Sequence, residues 1–448
     1  MRTVIVSDLH LGNGGPYDSF AGEEALPAFI DRCASTPTRI LINGDGVDFL
    51  MNEAPLELDV QQAVSQARAI VAYPPSAAVL ESMGRALAAG CQVVFRLGNH
   101  DIELALPQVQ RVLRDALKQP AEIAAKLQFQ MGEEPSVLEV GGARLLVTHG
   151  EHNDQWNRID DWKGLLGASK EFAFAPGSEL VKKFLNPLTH EQGLKFANLL
   201  KPDFQGATLT ALAVAPAAMK VLMQGATVSL LWHLFRKGDA SAFDDEEDLG
   251  LAKRVEDASL TEEEQAALEE FLEDSAGSFA EDDDGGPFSR ARIKLARAGL
   301  RLYAGLQRRM AGKEGDSFFA LDPTPAEWKE ARRLAAKYQA GAVIIGHTHA
   351  ARWGQEDGLV FANTGTWIWL MQLPPSDASD EVWMDFLSEL RANKRLDPGR
   401  QKVARTIARF TAVEIEEHPA GGARVSLVEW VPDEGLRSHG SANVPRTT

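Results

Sequence analysis

Short apolar runs at 3–6, 39–42, 92–97, 144–147, 342–345 and 359–362 each stop at a polar cluster. Runs of four to six mainly apolar residues, rich in β-branched side chains, predict strands buried on both faces; helical stretches between them predict an α/β protein. In open α/β sheets the connecting loops leave a crevice beyond the strand carboxyl ends, so the polar clusters stand where ligands bind. From about 156 to 316 no strand-like run appears and helix formers dominate, which predicts a helical insertion or cap splitting the core. Asp322-Pro323-Thr324-Pro325 reads as a helix start, and a helix to about Gln339 leads back into a core strand. A helix at 380–392 is followed by strands at 408–416 and 423–431, joined through Pro419-Ala420-Gly421-Gly422 as a hairpin. The expected organisation is a core first half at 1–155, an insertion at 156–320, a core second half at 321–431 and a polar, mobile tail at 432–448.

Composition changes this picture little, and charge changes it locally. Hydrophobic residues at 44% and charged residues at 25% exclude collagenous, wholly disordered and polytopic membrane classes. The net charge of −18 is concentrated: residues 239–286 carry 19 Asp or Glu against Lys253 and Arg254, and the rest of the chain is nearly neutral. This acidic block reads as a solvated loop. Residues 287–313 then hold eight Lys or Arg and no acid. Within 289–311, Arg290, Lys294, Arg297, Arg301 and Arg308 fall on one stripe at about 100° per residue, which predicts a basic helix face with scope for peripheral contact with an anionic membrane. Residues 204–235 are apolar but broken by Pro216 and Gly225, and each half is shorter than the roughly 20 residues needed to span a bilayer, so buried cap helices are expected. Only Cys33 and Cys91 are present, too few for a disulfide framework, and the start of the chain does not read as a signal peptide; a cytoplasmic setting is the expectation.

The clusters carry the chemistry. In order they are Asp8-Leu9-His10, Gly44-Asp45-Gly46-Val47-Asp48, Gly98-Asn99-His100-Asp101, His149-Gly150 and Gly346-His347-Thr348-His349, and they hold five of the ten histidines. Imidazoles, carboxylates and an amide oxygen without thiolate form a donor set suited to Mn, Fe, Zn or Co. Seven such groups are too many for one tetrahedral ion and suit two ions sharing a carboxylate.

Taken together, the five clusters resemble the calcineurin-like metallophosphoesterase superfamily. The resemblance implies a four-layer α/β/β/α sandwich and two divalent ions, with Mn favoured. It puts Asp8, His10, Asp45 and His349 on one ion and Asp45, Asn99, His149 and His347 on the other, with Asp45 as the bridge. It makes His100 the general acid, oriented by Asp48, and implies hydrolysis of a phosphoester or pyrophosphate bond by a metal-bridged hydroxide. His152, Asp154 and Asn13 lie close enough in sequence to be candidate substrate or outer contacts.

Departures narrow the substrate. Phosphoprotein phosphatases of the superfamily carry Arg and Glu where this chain has Phe49 and Asp101. A nuclease ranks second, because a phosphate backbone wants a positive surface and the body of this chain is nearly neutral. A non-catalytic binding or scaffold protein on the same fold is the rival from another class, and the completeness of the ligand set speaks against it. Ser7-Asp8-Leu9-His10-Leu11-Gly12 and the helical insertion resemble the branch that includes the UDP-diacylglucosamine pyrophosphohydrolases, although that branch carries Arg where His100 stands here. A small or amphiphilic phosphorylated substrate is therefore expected.

Overall fold

The structure is a computed structural model that describes residues 1–169, 171–191, 193–200, 210–211, 214, 319–374, 378–394, 396 and 405–447. The chain divides into two compact units: Met1–Ser178 with Phe318–Trp369 and Ala408–Thr448, and Glu179–Ser317 with Leu370–Ile407.

The first unit holds two sheets. In one, β1 (Arg2–Val6), β2 (Thr38–Asn43), β3 (Gln92–Arg96) and β4 (Gln128–Gln130) run parallel, and the sheet continues from β1 through antiparallel β12 (Thr411–Glu417), β13 (Ala423–Val431) and β14 (Gly435–Val444). The other has the order β5 (Ser136–Val140), β6 (Ala143–Val147), β7 (Ala342–Ile345), β9 (Leu359–Thr364), β8 (Ala351–Glu356), with β6, β7 and β9 parallel.

Side-chain alternation stacks these sheets into layers. Val4, Val6, Ile40, Ile42, Val93 and Phe95 pack with the helices α1 (Ala25–Cys33), α2 (Val60–Ala72), α3 (Pro74–Ala88) and α4 (Pro107–Ala116). Ile5, Leu41 and Val94, one residue out of phase, pack instead against Leu145, Val147, Ile344 and Val360 of the second sheet. Both faces of these strands are therefore buried, which explains their unbroken apolar runs. Truncating a side chain such as Ile5 to Ala in that inter-sheet core costs about 2–5 kcal/mol. The far face of the second sheet meets α5 (Pro325–Tyr338), whose Trp328 ring lies 5.9 Å from that of Phe361. The result is the α/β/β/α sandwich.

Local signals act as chemistry requires. Thr324 caps α5, its hydroxyl accepting from Glu327 N–H while the Glu327 carboxylate accepts from Thr324 N–H. The 408–431 hairpin forms as β12 and β13, its turn closed by His418 N–H donating to Gly422 O at 2.9 Å.

Two expectations are corrected. The tail from Pro432 contains β14, which pairs along its length with β13. It reads as polar because an edge strand buries only alternate positions, here Ala442 and Val444. The stretch Leu370–Ile407, expected within the core, groups with the second unit and contributes β10 (Leu370–Gln372) and β11 (Arg405–Ile407), a two-stranded sheet, and α6 (Asp380–Ala392). Among described residues of the expected insertion the elements are helical, with a short segment at Trp162–Leu166 and a continuous stretch over 176–190 that takes a π turn at Val181–Leu185. The acidic block, the basic stripe at 289–311 and most of the apolar stretch at 204–235 lie outside the described residues.

Candidate active site

Five parallel strands, three from one sheet and two from the other, end at the same place. Asp8 and His10 follow β1, Asp45 and Asp48 follow β2, Asn99 and His100 follow β3, His149 follows β6, and His347 and His349 follow β7. All are buried, none more than 8% exposed. Candidate ligand atoms lie within 4.8 Å of one another in three groups: Asp8, His10 and His349; His10, Asp48 and His100; Asp45, His149 and His347.

The backbone is bent to achieve this. Asp8, His10, Asp45, His347 and His349 all have positive φ, between 46° and 68°. Hydrogen bonds between loops hold them: Asp8 N–H donates to Gly44 O, His10 N–H to Asp45 O, and Trp367 N–H and the Thr366 hydroxyl to Asp8 O. Gly44, at φ 86°, is needed twice over, because a Cβ there would press into the His149 ring. Asp101 ties the second and third loops, its carboxylate accepting from Gly46 N–H (2.8 Å) and Gly98 N–H (2.7 Å). Burial and the neighbouring Asp45 charge push the Asp101 carboxyl well above the usual range.

Each of these ligand-type side chains has one atom held by a brace and another facing its neighbours in the cluster. Asp8 Oδ2 accepts from Ser7 Oγ and His347 N–H, while Oδ1 lies 3.4 Å from His349 Nε2. Asp45 Oδ1 accepts from His100 N–H (2.8 Å), while Oδ2 lies 3.4 Å from His149 Nε2 and 4.0 Å from His10 Nε2. His149 Nδ1–H donates to Asn43 O (2.8 Å), which turns Nε2 inward. His10 Nδ1–H donates to Asp48 Oδ2 (2.9 Å), and its Nε2 faces His349 Nε2 at 3.1 Å.

These atoms fit cations. Asp8 Oδ1, Asn99 Oδ1 and His149 Nε2 are buried without a hydrogen bond among the described residues, the first facing His349 Nε2 and the last Asp45 Oδ2 at 3.4 Å, an arrangement an ion would complete. Electrostatics agrees. Burial alone would raise the Asp8 and Asp45 carboxyls, but the surrounding imidazoles hold both below the ordinary range. Burial lowers His10 to about 4 in spite of Asp48, leaving it neutral and able to ligate. His149 goes the other way: burial opposes its charge, yet the Asp45 and Asp8 carboxylates raise it to about 10, so a metal binding there would displace a proton.

His100 and Asp48 come together as expected, with His100 Nδ1 3.3 Å from Asp48 Oδ1. Asp48 also holds His10, a link the sequence did not reveal. Asp154 joins the site: its Oδ2 accepts from His347 Nε2–H at 2.9 Å. Burial would raise its pKa, but His347 and Asn157 hold it below the ordinary range. His152 and Asn13 are not brought in. The His152 ring nitrogens face Thr148 Oγ1 (3.4 Å) and Asn153 Nδ2 (3.1 Å), and it belongs to none of the three groups. Asn13 is on an exposed turn that its own Oδ1 stabilises by accepting from Gly15 N–H. Sequence reasoning missed Asp101, noted only as a departure, and Asn157, which lies in an irregular stretch with no motif. Asn363 braces the loop after β7 through Gly346 O and Thr348 Oγ1, Thr366 and Trp367 brace the first loop, and Trp367 is fully buried, so this strap supports the site.

Residues 1–192 match the family model described as calcineurin-like phosphoesterase. The match supports the superfamily and the enzyme class, a hydrolase acting on phosphoesters. No curated protein matches the sequence. Among solved structures, a phosphopantetheinyl hydrolase from Mycobacterium tuberculosis is similar at 12% identity over 90% of this chain and 95% of that one, with a TM-score of 0.24, a superposition that carries no argument.

Proposed function

We propose that this hydrolase uses two divalent ions to cleave a phosphoester or pyrophosphate bond in a small or amphiphilic substrate. The observation that carries the reading is the gathering of buried candidate ligand atoms at the strand ends, Asp8 with His10 and His349 and Asp45 with His149 and His347, each group within 4.8 Å. Asp8, His10, His349 and Asp45 would hold one ion, and Asp45, Asn99, His149 and His347 the other. Asp45 would be shared by both, with Oδ1 accepting from His100 N–H and Oδ2 standing 3.4 Å from His149 Nε2 and 4.0 Å from His10 Nε2. Such a pair, with Mn favoured by the resemblance, would neutralise phosphoryl charge and supply a nucleophile at neutral pH.

The chain's own residues supply the rest. Asp48 engages Nδ1 of His100, so Nε2 is the atom left to hand a proton to the departing oxygen. His100 is also the most exposed of the five site histidines, as an acid that must meet substrate requires. Phe49 and Asp101, where phosphoprotein phosphatases of the superfamily carry Arg and Glu, speak against a phosphoprotein, and the Ser7–Gly12 pattern resembles the pyrophosphohydrolase branch. Two free, buried cysteines suit a reducing compartment, hence a cytoplasmic setting. Among the described residues no helix is long and apolar enough to cross a membrane. Peripheral lipid contact through 289–311 rests on the sequence alone.

The test is hydrolysis of bis(p-nitrophenyl) phosphate and p-nitrophenyl phosphate by protein stripped with a chelator and then supplied with Mn²⁺. Turnover should vanish on stripping and return with metal. Hydrolysis indifferent to chelator would overturn the metal reading. Two bound ions with no turnover on any phosphoester would favour the binding-protein alternative.

A further inference from the structure

We infer that Asp154 and Asn157, both outside the five strand-end clusters, are positioning residues that orient His347 and Asn99 for the second ion. This rests on the two-ion reading above. The geometry is a relay. Asp154 Oδ1 closes its own turn by accepting from Trp156 N–H (2.8 Å). Its Oδ2 is thereby aimed inward and takes two donors, His347 Nε2–H (2.9 Å) and Asn157 Nδ2 (2.6 Å). With a carboxylate on Nε2, the His347 proton is fixed there and Nδ1 keeps its lone pair. A carboxylate behind a ligating imidazole selects the tautomer and makes the ring a better donor.

The second limb works on an amide. Asn157 must point Nδ2 at the carboxylate, so its Oδ1 faces out, where it accepts from Asn99 Nδ2 at 3.4 Å. That contact settles which way the Asn99 amide lies. Its oxygen, and not its nitrogen, is left buried without a hydrogen bond and so is the atom available to an ion. One carboxylate thus sets the ligand atom of two residues on different loops. The relay meets the other ligand set through a backbone bond, His347 N–H to Asp8 Oδ2, which the side chains of Asp154 and Asn157 do not form, so the other ion should feel little.

The experiment is calorimetric titration of metal-free protein with Mn²⁺, checked by elemental analysis, for wild type, Asp154→Ala and Asn157→Leu. Wild type should take up two ions. Asp154→Ala should weaken one of them by about 10–100-fold and leave the other within about twofold. Asn157→Leu should weaken the same ion by less, since it loses the bonds to Asn99 and to Asp154 but leaves the Asp154 carboxylate on His347; it also carries the test should Asp154→Ala not fold. Unchanged affinities in both variants would overturn the inference while leaving the two-ion reading intact. Equal weakening of both ions with a lowered Tm would also overturn it, by showing a general structural role. A wild type that binds one ion would fail the two-ion reading itself, and the inference with it.

Discussion

Replacing Asp48 with Asn changes one atom and should cost the protein one metal site. Asp48 Oδ1 accepts from Leu50 N–H (3.0 Å) and Met51 N–H (2.9 Å), besides approaching His100 Nδ1. Those backbone donors dictate how the amide introduced by Asp48→Asn must lie: its oxygen stays at the Oδ1 position, because an NH2 there would face two N–H groups. The NH2 then occupies the Oδ2 position, 2.9 Å from His10 Nδ1. A donor at that point forces His10 to present a lone pair at Nδ1 and carry its proton on Nε2. That proton would point into the space shared with His349 Nε2 and Asp45 Oδ2, where a ligand lone pair is needed. Loss of an outer partner of a metal ligand typically weakens affinity 10–100-fold, or about 1.4–2.7 kcal/mol at 1.36 kcal/mol per decade. Titration of stripped protein with Mn²⁺ should show this loss for the ion on the Asp8 side only. The Tm of the metal-free variant should stay near that of wild type, because both loop N–H groups keep their acceptor. Wild-type affinity for both ions in Asp48→Asn would refute the tautomer argument.

Three further outcomes follow from the same geometry. His100→Ala should lower turnover of a poor leaving group by about 10²–10⁴-fold and of an activated aryl ester much less, with metal content unchanged; equal losses on both would remove His100 as the acid. In Asp45→Asn the amide oxygen is held at Oδ1 by His100 N–H, so an NH2 faces both groups of ligands and both ions should be lost together. Elemental analysis finding two ions and intact hydrolysis would sink the shared-carboxylate assignment. Burial pushes the Cys33 thiol up to about 12, so it should resist alkylation at pH 8 in native protein and react only on unfolding; rapid native labelling at Cys33 would contradict its burial.

How much of this was legible in the sequence depends on what buried each segment. Strands enclosed on both faces announce themselves: the run expected at 342–345 is β7 to the residue, and 39–42 is β2 short by one residue at each end. β14 escaped because half of Gly435–Val444 faces outward and its polar residues pair across the strands, Ser426 with Ser441 and Glu429 with His439. The site was legible because its ligand-type residues follow those strands immediately. What could not be read were links between loops that meet only after folding, such as Asp48 with His10, Asp154 with His347, and Asn157 with Asn99. Asn13, a candidate substrate or outer contact, has its Oδ1 on Gly15 N–H in an exposed turn.

The left-handed residues explain why the ligand set needs so much of the chain around it. Five non-glycine positions with positive φ cost about 1–3 kcal/mol each, a sum comparable with the whole net stability of a domain, about 5–15 kcal/mol. Such a conformation persists only where neighbours over-determine it. Here the first loop is held by Gly44 O and by the strap after β9, the second by the first and by Asp101, and the fifth by the Asp8 carboxylate through His347 N–H. Each brace joins loops from different strands, so no loop could keep its ligand geometry alone. The consequence for chemistry is preorganisation: donors already aimed at one point need little rearrangement to receive ions. The strain is then part of folding and is not subtracted from metal affinity.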